Sequence, residues 1–227
     1  MKVKKTLILL LSIVLLSALA TMVSKHLKEK EIITVTFVDY DGTILKEEKN
    51  VGKGASAIAP TDPTREGYIF KGWDKEFDNV TEDITVTALY EEITEATIIV
   101  SSSTASAGDT VTLLVQVVNN PGVAGAKIKL TYDSKLTLIE AKAGPAFEFL
   151  DYTAPAKLQN ECNFNWDSLE GQSVEDGTII ELKFTINNIV EIGETLNVSC
   201  SYVYGDIYDK DLNDITFNVI NGTVIVK

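Results

Sequence analysis

The chain has 227 residues, 45% of them apolar, and a formal net charge of −13; this is enough to bury a core in one large domain or two small ones, which excludes a disordered chain. Residues 1–30 hold six Lys and one Glu, a charge of +5, so the rest carries −18. No basic footprint remains for phosphates, which argues against a nucleic-acid partner.

At the N-terminus a basic MKVKK precedes the uncharged apolar run Thr6 to Val23, the pattern of an export signal over residues 1–30. Two fates stay open. Ala18-Leu19-Ala20 suits cleavage, and eighteen apolar residues also suffice for an uncleaved membrane anchor. The sole histidine, His26, follows directly. It is a polar residue beside the run, and without a second histidine the body has no Ser-His or Cys-His pair for nucleophilic catalysis. Export permits a disulfide between the two cysteines, Cys162 and Cys200. Both fall in strand-like runs, however, where small buried thiols are expected instead.

After Glu31 short runs rich in Val, Ile, Thr, Tyr and Phe are punctuated by Gly, Asn, Asp and Pro, so the body is read as all-β. An acidic stretch near Glu91-Glu92 and Glu95 divides it, giving a module over 31–92, a linker over 93–96 and a module over 97–227. The first opens with ITVTFVDYDGTIL. Its VDYDGT resembles the signature of haloacid-dehalogenase-type phosphatases, in which the first Asp attacks phosphate and the second serves as acid and base. Asp39 and Asp41 would hold those roles. That chemistry needs the Asp at the end of a parallel strand feeding a helix, and the following KEEKNVGKGASAIAP has no helical period. A D-G pair between two strands predicts a type I′ hairpin turning at Asp41-Gly42, with Asp39 on the strand before it, so neither Asp is read as a catalyst.

The order VTFVDYDGTIL, VGKGASAIAPTDPTREGYIFKGWD and FDNVTEDITVTALY resembles the internalin-type B repeat, or Listeria–Bacteroides repeat, over about 33–90. The resemblance implies a small β-grasp-like module used as a spacer in surface proteins. Tyr68, Phe70 and Trp73 are expected to form its core.

From Ala96 strands recur about every ten residues: TIIVSS, GDTVTLLVQVVN, GVAGAKIKLTYD, LTLIEAKAG, ECNFNWDS, GTIIELKFTI, ETLNVSCSYVY and DITFNVINGTVIV. Such regular short strands predict an antiparallel sandwich. NNPGVAGAKIKLTYDSKLTLIEAKAG, DGTIIELKFTI and the closing DITFNVINGTVIV resemble a cohesin domain. The resemblance implies a nine-stranded jelly roll whose flat sheet, made by the third, fifth, sixth and eighth strands, binds a dockerin, a calcium-loaded module carried by an enzyme or scaffold protein. The chain itself would need no cofactor.

Pleat alternation then assigns the binding face. The third strand shows Gly125, Lys127, Lys129 and Thr131, and the sixth shows Glu161, Asn163, Asn165 and Asp167. On the eighth, Asn197, Ser199, Ser201 and Val203 face out. The fifth strand, within FEFLDYTAP, is given Leu150 and Tyr152. A polar or acidic residue is more usual in the family where this chain has Lys127, so the class of dockerin stays open.

Asp209, Asp211, Asn213 and Asp214 are spaced like half of a calcium loop, but Asp214 replaces the needed Gly and Ile220 the bidentate Glu; a solvated loop is expected, with no metal site. Three sequons, at Asn79, Asn197 and Asn221, matter only in a eukaryotic secretory pathway. The sequence thus predicts a bacterial, non-enzymatic scaffoldin-type protein at the cell surface, with one cohesin holding one partner in a cellulosome- or amylosome-like system, monomeric apart from the dockerin. Because no sorting signal follows Lys227, an uncleaved anchor at Thr6–Val23 is preferred. The alternative is an adhesin or carbohydrate-binding module on the same jelly roll. Sugar binding normally uses exposed aromatics, and Trp166 is phased inward.

Overall fold

In the computed structural model, residues 32–227 are described; the export segment, its cleavage motif and His26 lie outside them. There are two hydrophobic cores, each within its own set of strands.

The first is a four-stranded sheet of β1 (Ile32–Val38), β2 (Ile44–Gly52), β3 (Tyr68–Trp73) and β4 (Ile84–Glu92), in the order β2-β1-β4-β3 with β1 and β4 parallel. The β1–β2 hairpin confirms the structural reading of VDYDGT, though not its turn type. Asp39 N–H donates to the Thr43 carbonyl at 2.8 Å and Gly42 N–H to the Asp39 carbonyl at 3.0 Å. Only Gly42, at φ +86°, is left-handed here, so the turn is a type I turn closed by a glycine bulge rather than a type I′ pair. The Asp41 carboxylate accepts from Thr43 N–H at 2.9 Å, which holds its pKa below the ordinary value.

Phe37 is fully buried and meets Trp73 and Phe77 edge-on, with centroids 5.0 and 5.2 Å apart. Tyr68 and Phe70 depart from expectation. Strand parity puts them opposite Trp73, half-buried and outside this core. The Arg65 guanidinium sits 3.5 Å over the Tyr68 ring instead, and Phe70 meets Tyr90 edge-on.

The second body is a sandwich. One sheet has the order β10-β11-β8-β13-β16-β6, from β6 (Ser103–Ala105), β8 (Gly125–Tyr132), β10 (Asp151–Thr153), β11 (Cys162–Asp167), β13 (Thr195–Ser201) and β16 (Gly222–Val226), with β14 (Ile207–Tyr208) added beside β8. The other has the order β15-β5-β7-β12-β9, from β5 (Thr97–Val100), β7 (Thr110–Val118), β9 (Leu136–Ala143), β12 (Gly177–Ile186) and β15 (Asn218–Ile220). Their inner faces meet in one core that includes Trp166, Phe164, Phe184, Leu130 and Leu182.

Twelve segments stand where nine runs are expected: the ninth run is split into β15 and β16, and the short strands β6 and β14 follow the first and eighth runs. The chain changes sheet from β5 to β6 and from β15 to β16, as at the corners of sandwiches. The two crossings touch. A side chain on Gly222 would stand 2.3 Å from the Ser101 carbonyl oxygen, so only glycine fits there. Among the described residues the one helical element is a single 3-10 turn, Pro145–Phe147, and no helix is long and apolar enough to cross a membrane.

Candidate functional site

The outward face of β10, β11, β8 and β13 is a polar surface on a rigid sheet. Alternation along β8 buries Ala126, Ile128, Leu130 and Tyr132 and leaves Lys127, Lys129 and Thr131 outward. On β11 it buries Cys162, Phe164 and Trp166 and leaves Asn163, Asn165 and Asp167. On β13 Leu196, Val198 and Cys200 are buried, with Asn197, Ser199 and Ser201 outward. Register joins these columns into rows: Asn163, Lys129 and Ser201 form one, and Thr153, Asn165 and Lys127 another.

The two lysines are tethered at their tips. Lys129 Nζ lies 3.4 Å from Glu161, which stands just before β11 with φ +66°, and Lys127 Nζ lies 3.7 Å from Asp206. Asn160 pins the segment before β11 to the end of β8, accepting from Tyr132 N–H at 2.9 Å and donating to the Tyr132 carbonyl at 2.9 Å. Val203 is 65% exposed beyond the end of β13, in a turn where its N–H donates to Asp206. Beneath this surface both cysteines are buried, free thiols. Burial pushes the Cys162 thiol up and the Cys200 thiol up to about 12.

Residues 96–226, more than half of the chain, match the Cohesin domain family. The chain belongs to the cohesin family. Residues 34–98 match the Listeria-Bacteroides repeat domain. Both kinds of domain are typically extracellular or surface-associated, and a cohesin domain is a non-catalytic protein-binding module.

Among solved structures the chain is similar to the sixth cohesin of scaffoldin B from Acetivibrio cellulolyticus, solved with a dockerin, at 21% identity over 59% of this chain and 100% of that one, TM-score 0.51. It is similar also to a type III cohesin module from the cellulosomal ScaE cell-surface anchoring scaffoldin of Ruminococcus flavefaciens, at 18% identity over 59% and 88% of the two chains, TM-score 0.53. A third is the OlpA cohesin of Clostridium thermocellum, solved in a type I complex with a dockerin, at 20% identity over 59% and 99%, TM-score 0.51. At these identities the likeness is one of fold.

Of the residues assigned to this face by sequence, two sit elsewhere in the cohesin and a third is covered. Leu150 is 4% exposed and belongs to the core. Tyr152 pairs with Trp166 and shares its inward side, the two rings 5.4 Å apart; the Tyr152 hydroxyl and Trp166 Nε1 are both buried without a hydrogen-bond partner. The fifth strand is therefore phased the other way, and Asp151 and Thr153, in register with Asp167 and Asn165, are its outward residues. Gly125 points outward but is covered by Tyr208. Tyr208 and Asp206 were not legible as face residues, because a turn with Gly205 at φ +88° separates them from β13.

The calcium-like spacing in DIYDKDLND is a hydrogen-bonded loop. Asp209 accepts from the Asn213 side-chain amide at 3.0 Å, from Asn213 N–H at 2.9 Å and from Asp211 N–H at 2.8 Å, which holds its pKa down.

Proposed function

We propose that this protein is a non-catalytic scaffoldin-type receptor whose single cohesin binds the dockerin of an enzyme or scaffold protein. The carrying observation is the outward face of β8, β10, β11 and β13 in a chain of the cohesin family: a polar surface on a preformed, well-packed backbone, which keeps the ordering cost of binding to its side chains. The contact residues are Lys127, Lys129, Thr131, Glu161, Asn163, Asn165, Asp167, Asn197, Ser199, Ser201 and Val203, with Asp151 and Thr153 on the fifth strand. Calcium would arrive with the dockerin.

The Listeria-Bacteroides repeat serves as spacer, and residues 1–30 export the chain and hold it at the cell surface through Thr6–Val23. The setting is a cellulosome- or amylosome-like assembly, with one partner per chain. The test is calorimetric titration of the full-length protein with each calcium-loaded dockerin encoded in the same genome, together with dockerins of type I and type III complexes. Saturable one-to-one binding of at least one supports the reading. Binding of none, with soluble glycans bound instead, would replace it with a carbohydrate-binding module.

A further inference from the structure

The short strand β14 lies beside the start of β8, and pleat alternation fixes what it presents. Ile207 is 2% exposed, packs in the core and is in register with Ala126. Tyr208, in register with Gly125, therefore points to the outer face. A β-carbon built on Gly125 would stand 2.1 Å from Tyr208 Cζ and 2.3 Å from its hydroxyl oxygen. The ring thus lies across β8 in the volume any side chain at position 125 would need, and glycine is what admits it.

The strand that carries the ring is also held in place. Ala124 N–H donates to the Tyr208 carbonyl at 2.9 Å, Lys127 N–H to the Asp206 carbonyl at 2.8 Å, and Ile215 N–H to the Ile207 carbonyl at 2.9 Å. Asp206 is the same residue that tethers Lys127.

Resting on the dockerin-binding reading, we infer that Tyr208, seated on Gly125, is a specificity-determining contact of the face and takes an apolar side chain from the dockerin. A tyrosine ring offers a large, rigid, partly apolar area at little cost in side-chain freedom, and tyrosines are enriched among the few residues that dominate interface energies. Here the ring stands in the row next to Lys127, among polar residues that can shield the contact from water. The strand beneath the ring is already paired before the partner arrives.

The experiment takes the dockerin that binds the full-length parent tightest and titrates it into variants checked for a thermal midpoint within about 2 °C of the parent. Tyr208→Ala and Gly125→Ala should each weaken binding about tenfold or more, while Tyr208→Phe stays within about threefold. If Gly125→Ala acts by displacing the ring, adding it to Tyr208→Ala should change affinity by less than about twofold, the non-additivity expected of one shared contact. Lys127→Glu is run alongside as a check on the face itself. Loss of binding in Lys127→Glu with none in Tyr208→Ala overturns this inference and leaves the face standing. Additive losses in the double variant also overturn it. Should Tyr208→Ala melt early, Gly125→Ala, which leaves every core side chain in place, decides by the same threshold. If no dockerin binds the parent, both readings fall.

Discussion

Cys162 on β11 and Cys200 on β13 are both in register with Leu130, one on each side of β8. At about 4.8 Å per strand step the two lie about 10 Å apart, beyond the roughly 7 Å that a disulfide tolerates between Cα atoms. Export would make a disulfide chemically permissible, and geometry denies it. The intact protein should therefore have the same mass before and after reduction and should take up two alkyl groups only when unfolded. A non-reduced mass lower by two protons contradicts this.

The same thiols set an upper pH limit. Burial raises both, Cys200 to about 12 from an ordinary 9, so the folded state holds its thiol protons more tightly than the unfolded chain does. The resulting stability is complete below about pH 9 and is lost as pH rises through 9 towards 12. Denaturant midpoints measured from pH 7 to 11 should fall above pH 9, and Cys200→Ala should flatten that fall.

The phase of the fifth strand is tested by neighbours. Leu150 is in the core and Asp151 is outward, so Leu150→Ala should lower stability by about 2–5 kcal/mol and Asp151→Ala by no more than about 0.5 kcal/mol. Denaturant unfolding of the two variants checks this, and a reversed order would restore the assignment of Leu150 to the face.

Gly42 closes the β1–β2 turn at φ +86°, a conformation that costs an L-residue about 1–2 kcal/mol. Gly42→Ala should destabilise the first body by about that amount. Asp39→Asn should leave hydrolysis of a generic phosphatase substrate at the level of the blank, as turn residues would.

What the sequence made legible was decided by alternation. In GAKIKLTY and CNFNWD apolar and polar residues change places at every step, so the inward and outward sides could be read without coordinates. FEFLDYTAP gave no such phase. The reason is the 3-10 turn Pro145–Phe147, which buries Ala146 and Phe147 and returns Leu150 to the core by the spacing of a turn and not of a strand.

Tyr208 was hidden for another reason. Its strand is two residues long and is cut off from β13 by the turn ending at Asp206, and what it covers depends on register with Gly125, a relation between residues distant in sequence. In the first body the GYIFKGW run names its aromatics without saying which side of the sheet each one takes.

The most direct measurement is the affinity of the full-length protein for its cognate calcium-loaded dockerin with one outward residue changed at a time. Lys127→Glu and Asn163→Arg alter neighbouring positions of β8 and β11 whose side chains leave the core untouched. Each should cost about 2 kcal/mol or more of binding, roughly thirtyfold, at an unchanged thermal midpoint. Lys183→Glu, on the outward side of the opposite sheet and paired there with Glu140, should bind like the parent. Parental affinity in both face variants, or an equal loss in Lys183→Glu, would contradict the assignment of dockerin binding to this face.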